Sequence, residues 1–397
     1  MKTAAASLLR SGKLLHHALG IALPEQEATL LKACLHRGET AKESWRKWCA
    51  RVGDPKQALQ TGGEGHKRLL PHLFFSLRKN GIAVAGDLNA TLRAAYLWEE
   101  QRSRSVLDIC RKALDLLAAE NIPIILLRGL PAIRLYEEPA LRHCGSINFL
   151  IPKDHLPQAM DLLIRTGFQA TNRQQPAMAG GVQLLHESGL PLNLYVSPFF
   201  SPYTGGNHCH AWRRSELWAE GALKGRVLNK GDALLHLCCH LFFGAGSSAY
   251  DWVLDAYTIL SACSGNDLDL LEDTARKNHL ETVLTVMLGW LAETLGAPVP
   301  DKFINGLRNA PTRISAENGR SALCAACHII RLNPGRALLA FDRWPLPIFG
   351  ARACMFPPRD YLRWAYSISE NGSLAPCYLG VPARYLWRRF TGEQVND

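Results

Sequence analysis

Apolar positions along the chain change their period twice. From residue 23 to residue 120 they recur with helical spacing. The segment 23–34 (LPEQEATLLKAC) has this pattern, and Trp45 and Trp48 in ESWRKWCARV, three apart, share one helix face. A loop rich in Gly at 62–65 leads into RLLPHLFFSLRKNG, a further short helical segment. A helix is predicted over 87–100, with Asp87 as N-cap and Leu88, Leu92, Tyr96 and Leu97 as its apolar positions. Another is predicted over 103–120, with Val106, Leu107, Cys110, Leu114 and Leu117 on one side and Asn121 at its end.

The pattern then shortens. IPIILLRG (122–129) is a continuous apolar run closed by Gly129, which predicts a buried strand. LPAIRLYEE reads as a short helix, and 147–151 as a second strand stopped by Pro152. A helix over 154–166 carries Leu156, Met160, Leu163 and Ile164 on one face, and a short strand at 168–171 follows it. VQLLHE and LPLNLYV read as a hairpin around Ser188 and Gly189. This β-α-β-α-β-β order predicts a small mixed sheet with helices on one side. After a Pro/Gly/aromatic loop at 197–206 and a turn at 229–231, helical spacing returns at 232–243, 249–262, 268–277 and 280–295. Further helices are predicted at 321–331 and 359–368. The fold class is therefore α+β, in three parts: an N-terminal helical region (1–105), an α/β core (106–228) and a C-terminal helical region (229–397).

Composition narrows the function classes. Hydrophobic residues make up 47% and charged residues 20%, as in an ordinary globular protein. The longest apolar run falls short of the roughly 18 residues a membrane span needs. Arg10, Lys13, His16 and His17 interrupt the N-terminal apolar residues, which predicts an amphipathic helix ending near Gly20 rather than a signal peptide. Twelve cysteines lie mostly in helical or apolar stretches, among them Cys34, Cys110, Cys238 and Cys239. That is the pattern of buried, reduced thiols in a cytoplasmic protein rather than of a disulfide framework. The net charge of +10 is spread over 42–51, 102–112, 213–226 and 384–389. It either attracts polyanions such as nucleotides or forms a solvated surface, and no RNA- or DNA-binding module is visible.

The stretch 122–151 holds the candidate chemistry. Ser146 and Asn148 stand at i and i+2 of a predicted strand, so their side chains share one face. IPIILLRG, then Tyr136, then Arg142-His-Cys-Gly-Ser146-Ile-Asn148-Phe-Leu-Ile resembles the core of the large bacterial nucleotidyltransferase family of the DNA polymerase beta-like superfamily. The family form there is roughly I-x-x-x-LLKG, a helix with a Tyr, and R-x-x-x-DIDLLV. Gly167-Phe168, Asn193-Leu-Tyr195-Val, Leu234-Leu-His236-Leu-Cys-Cys-His240 and Trp252-Val-Leu-Asp255 resemble later family segments, as do the N-terminal W-x-x-W and RLLP. Each piece is weak, but the order and spacing, over about 20 to 300, are specific.

The resemblance implies a nucleotidyltransferase-like core, transfer from ATP or another NTP, and Mg²⁺ held by two carboxylates on one strand and a third on its neighbour. All three acidic positions depart from the family pattern: they are Ser146, Asn148 and Asn193. Glu137, Glu138, Asp154 and Glu187 are the nearby acids available to substitute. The cationic positions are kept, with Arg128 at the family's Lys and Arg142 at its Arg. Together with the backbone at Gly129 they are candidates for binding a triphosphate, the alternative being structural arginines. Asp255 and the histidine pair His236 and His240 are candidates for the cleft; Asp255 alternatively pairs with a cation, and the histidines, at i and i+4, have the spacing of a metal-binding pair but no adjacent acid, so they read as core or cleft packing.

Two function classes follow. One is a catalytically degenerate nucleotidyltransferase-like protein that binds a nucleotide, a small-molecule substrate or a partner protein, without metal. The other is an active Mg²⁺-dependent enzyme moving a nucleoside monophosphate from NTP to an acceptor. A third, weaker reading is a different transfer reaction through His143, Cys144 or Tyr195. Elsewhere, Cys324-Ala-Ala-Cys327-His328 matches the c-type haem pattern but lies in an apolar, helix-like run, and His208-Cys209-His210 alternates as a metal site would but reads better as an exposed loop. There is no P-loop, G-x-S-x-G or G-x-G-x-x-G segment.

Overall fold

The computed structural model describes residues 23–174, 181–199, 209–220, 223–243, 249–278, 280–308, 359, 362 and 372–378. The helices predicted near residues 1–20 and 321–331, most of that at 359–368, the Cys324–His328 motif and His208 lie outside them.

Five helices open the described chain: α1 (Glu25–Leu35), α2 (Gly38–Val52), α3 (Pro55–Thr61), α4 (Gly63–Lys79) and α5 (Gly86–Ala119). Asp54 caps α3 by accepting from the Gln57 amide at 3.0 Å, with Pro55 preset for the first turn. The Trp45 and Trp48 rings stack at 5.3 Å, so their shared face is a packing face. Where the sequence suggests two helices at 87–100 and 103–120, the structure has the single helix α5 of 34 residues. Nothing at 101–102 breaks it: Gln and Arg are good helix formers, and Arg104 pairs back onto Glu100 at 2.7 Å. The position 105/106 therefore lies in mid-helix.

The strands are β1 (Ile125–Leu126), β2 (Ile147–Leu150), β3 (Phe168–Gln174), β4 (Val182–His186), β5 (Pro191–Tyr195), β6 (Glu216–Glu220) and β7 (Leu223–Val227). Short helices intervene: α6 (Leu130–Ile133), α7 (Leu156–Arg165) and α8 (Cys209–Arg214). The seven strands form one sheet in the order β3-β4-β5-β2-β1-β7-β6. β1 is antiparallel to β2 and parallel to β7; β2 and β5 run parallel; the other pairs are antiparallel. The β6–β7 hairpin joins the sheet beyond β1 and was not expected from the sequence.

Helices cover both faces of this sheet, not one as expected. Leu126, Ile147, Phe149, Leu192, Leu194 and Val227 pack with Val106, Cys110, Leu114 and Leu117 of α5 and with Ala159 and Leu163 of α7. The opposite face, with Ile125, Leu127, Leu150 and Tyr195, packs into a second core. That core includes α9 (Lys230–Phe243), α10 (Ala249–Ala262) and α12 (Glu281–Leu295). The expectation failed because it counted only helices interleaved with the strands, whereas the later helices fold back over the exposed face. α11 (Gly265–Lys277) begins with a capping box between Ser264 and Asp267, and α13 (Asp301–Arg308) ends the continuous description. The N-terminal helices join this second core through residues such as Trp48, Leu69 and Leu92.

Candidate functional site

Strand register brings the three substituted positions together. Asn148 on β2 lies directly opposite Asn193 on β5, which lies opposite Gln183 on β4. Ser146 precedes Asn148 by two and shares its face. Arg128, just after β1, reaches across to the same row. Its Nη2 donates to Asn148 Oδ1 at 3.0 Å and to the Tyr195 hydroxyl at 2.7 Å, with the guanidinium 5.6 Å from the Tyr195 ring centre.

The amides then order themselves. A guanidinium can only donate, so the Asn148 atom facing Arg128 is the carbonyl oxygen. Asn193 Nδ2 donates to that same oxygen at 3.0 Å, and Asn193 Oδ1 accepts from Gln183 Nε2 at 3.0 Å. Asn148 Nδ2 turns towards Ser146 Oγ at 3.1 Å. The result is a polar relay across four strands, Arg128–Asn148–Asn193–Gln183. Asn148 and Asn193 are buried, 3% and 7% exposed. Their carbonyl oxygens already accept inside the relay, as buried polar groups require.

Gly129 follows Arg128 at φ 70°, in the left-handed region that favours glycine, and starts the turn into α6. A Cβ here would meet its nearest neighbours, Cys144 Sγ and the Ser146 carbonyl, only at 3.9 Å, so backbone angle rather than space demands glycine.

Arg142 has another partner. Its Nε and Nη2 bind Asp255 Oδ1 and Oδ2 at 2.6 and 2.8 Å, a bidentate pair in which Asp255 is 1% exposed. The Tyr136 hydroxyl donates to Asp255 Oδ1 at 2.8 Å, and Asp251, 3.7 Å from Arg142, is itself held by Arg68 at 3.0 Å. Burial works against the Arg142 charge, but Asp255 and Asp251 outweigh it and hold the guanidinium well above the usual arginine range. The helix carrying Asp255 is thus clamped to the loop before β2.

Arg128 differs. Among the described residues no carboxylate lies within 4.0 Å of it, and burial holds its guanidinium below the usual range. It still carries its charge. His236 and His240, one turn apart on α9, face this region with rings 6.3 Å apart. Burial, reinforced by the Arg128 charge, pushes His236 down to about 3, and its Nδ1 is bonded to the Pro198 carbonyl. The same causes push His240 well down, so both rings are neutral near pH 7.

The other candidates are accounted for by their neighbours. Glu137 pairs with Arg37 and Lys79, and Glu138 accepts from Tyr96. Asp154 is exposed on the turn after β2, and Glu187 on the β4–β5 turn, four residues beyond Gln183, or roughly 13 Å along the strand. His143 Nδ1 binds the buried carboxylate of Glu99 at 2.8 Å. Burial pushes the Cys144 thiol up to about 12. His210 is exposed and bonded to Arg213 at 2.9 Å. Gln183, Asp251 and Glu99 were missed, because each reaches its partner through register or tertiary packing that no local pattern records. Among the described residues, no group of three or more His, Cys, Asp or Glu is placed to hold a metal ion, and no helix is long and apolar enough to cross a membrane.

A family model described as "uncharacterised nucleotidyltransferase" matches residues 65–296, more than half of the chain, and the chain belongs to that family. A solved structure of an antigenic nucleotidyltransferase-like protein from Paracoccidioides brasiliensis is similar over 51% of this chain and 95% of its own, at 13% identity and a TM-score of 0.30. No curated protein matches the chain.

Proposed function

We propose that this member of the family binds an anionic ligand without metal and does not transfer nucleotidyl groups. The observation that carries the reading is the Arg128 guanidinium, 3.0 Å from Asn148 Oδ1 in a row of neutral side chains. Mg²⁺ is a hard cation that takes carboxylate oxygens, and two such ions need fixed negative charge around them. Here the corresponding groups are a hydroxyl and two amides. Asn148 Oδ1 already accepts from Arg128 and Asn193, and a half-buried positive charge stands beside it. The donor set does not suit Mg²⁺, and like charge would repel it.

The same charge favours an anion. The family's name points to a nucleotide, whose phosphates can meet Arg128 directly rather than through a metal. Calorimetric titration with ATP, once in EDTA and once in Mg²⁺, tests this. The expected result is the same affinity in both and no pyrophosphate release on long incubation. Binding that requires Mg²⁺, or steady release of pyrophosphate with any hydroxyl acceptor, refutes it. A Ser146→Asp, Asn148→Asp, Asn193→Asp variant is expected to acquire Mg²⁺-dependent ATP binding, which locates the site.

A further inference from the structure

The bonding of Arg128 is one-sided. Both of its hydrogen bonds leave from Nη2, and its Nε and Nη1 donate to no described group. The side chain also lines a small cleft on the β7 side of β1 that opens to solvent. The walls are apolar, from Leu135 after α6, Leu237 on α9 and Ile259 on α10. Two further cations line it, Arg134 and Lys230. Both are loosely held: Arg134 is 3.4 Å from the half-exposed Glu216, and Lys230 is 3.5 Å from Asp267. Among its described lining residues the single acid, Asp255, is occupied at both oxygens by Arg142. Three cations therefore face a space with no free carboxylate among its described lining residues.

We infer that this cleft binds the phosphate group of a small organic phosphate, with Arg128 Nη1 as donor and Arg134 and Lys230 closing on it from the mouth. Both parallel donor pairs of a guanidinium include Nη2, which Asn148 and Tyr195 already engage, so Nη1 meets the phosphate as a single charge-assisted donor and the two other cations supply the remaining contacts. The apolar walls take the short carbon part of the ester, as small-molecule sites combine apolar walls with a few placed polar groups. This inference rests on the reading that the Arg128 face binds an anion without metal.

The test uses the full chain in EDTA, with inorganic phosphate, AMP and adenosine as probes. AMP is expected to bind, adenosine to bind at least tenfold more weakly, and inorganic phosphate to compete with AMP. Lys230→Gln and Arg134→Gln lie at the mouth and leave the core intact. Each is expected to weaken AMP binding about fivefold or more, as losing a charge-assisted contact does. Arg128→Met is expected to abolish it, with a denaturation curve to show that the variant is folded. Wild-type affinity in both mouth variants, equal affinity for adenosine, or no binding of AMP overturns the cleft assignment. Mg²⁺-independent ATP binding that persists unchanged in the mouth variants sinks the cleft and leaves the metal-free reading standing. Mg²⁺-dependent pyrophosphate release sinks the metal-free reading, and mouth variants that still weaken AMP binding in EDTA would then leave the cleft standing.

Discussion

Substituting Asn148→Asp puts a single carboxylate into the relay and asks whether Arg128 is the charge that faces it. Nη2 stands 3.0 Å from the atom that becomes a carboxylate oxygen. At an effective dielectric near 20, that distance gives an attraction of about 5.5 kcal/mol. Taking the carboxylate out of water costs several kcal/mol, and the bond from Asn148 Nδ2 to Ser146 is lost. The remaining gain is about 1–2 kcal/mol, in the range of a neutral hydrogen bond becoming charge-assisted. Its pH dependence has a definite sign. Arg128 holds the new carboxyl below the unfolded value of about 3.9, so the gain is present above about pH 4 and is lost as pH falls through the folded value. Urea denaturation of wild type and variant at pH 7 and at pH 3 measures both. The expected result is a variant more stable than wild type at pH 7, with the difference gone at pH 3. A variant less stable at pH 7, by an amount that does not grow or shrink with pH, would mean that no cation faces Asn148.

Asp255→Asn leaves Arg142 buried with a neutral partner and is expected to cost about 3–5 kcal/mol in urea denaturation; a loss below 1 kcal/mol would remove the clamp from the account. Tyr136→Phe removes one donor to the same carboxylate and should cost about 1.5–3 kcal/mol. Burial pushes His72 down to about 4 and His236 to about 3, so the unfolded chain takes up protons that the folded chain refuses. Stability should be full above about pH 6.5 and fall by about 1.4 kcal/mol per pH unit per histidine on acidification. His72→Asn should flatten that slope in a pH series of denaturation midpoints. Gly231→Ala sets a Cβ 2.5 Å from the Asp267 carbonyl and 3.1 Å from the Leu271 amide. Backbone cannot yield as a side-chain tip can, so a loss of about 2 kcal/mol or more is expected in the same assay.

Strong local patterns were readable from the residues alone. The stretch IPIILLRG shows its strand, but only two residues of it pair as one, because Arg128 and Gly129 turn the chain away into α6. The β4–β5 hairpin and the helix at 249–262 were visible because alternation and helical spacing are dense there. The β6–β7 hairpin was not, since Glu216–Glu220 and Leu223–Val227 carry charges at positions that alternate weakly. At the site, the spacing of Ser146 and Asn148 gave the shared face, and the resemblance supplied Asn193. The sequence could not indicate that Arg128 and Arg142, so alike in a motif, have opposite company: one meets amides, the other a buried aspartate more than a hundred residues away.

Helix α5 belongs to both halves of the molecule at once. Leu88 and Leu92 near its start sit in the core with the N-terminal helices, while Val106 to Leu117 form the floor beneath the sheet. At about 1.5 Å per residue it is a rod of roughly 51 Å. Cutting the chain at residue 105 would give each fragment half a rod and an unfilled core, so neither piece is a natural unit for expression. A load applied to the N-terminal helices would be carried along the same rod to the underside of β1 and β2.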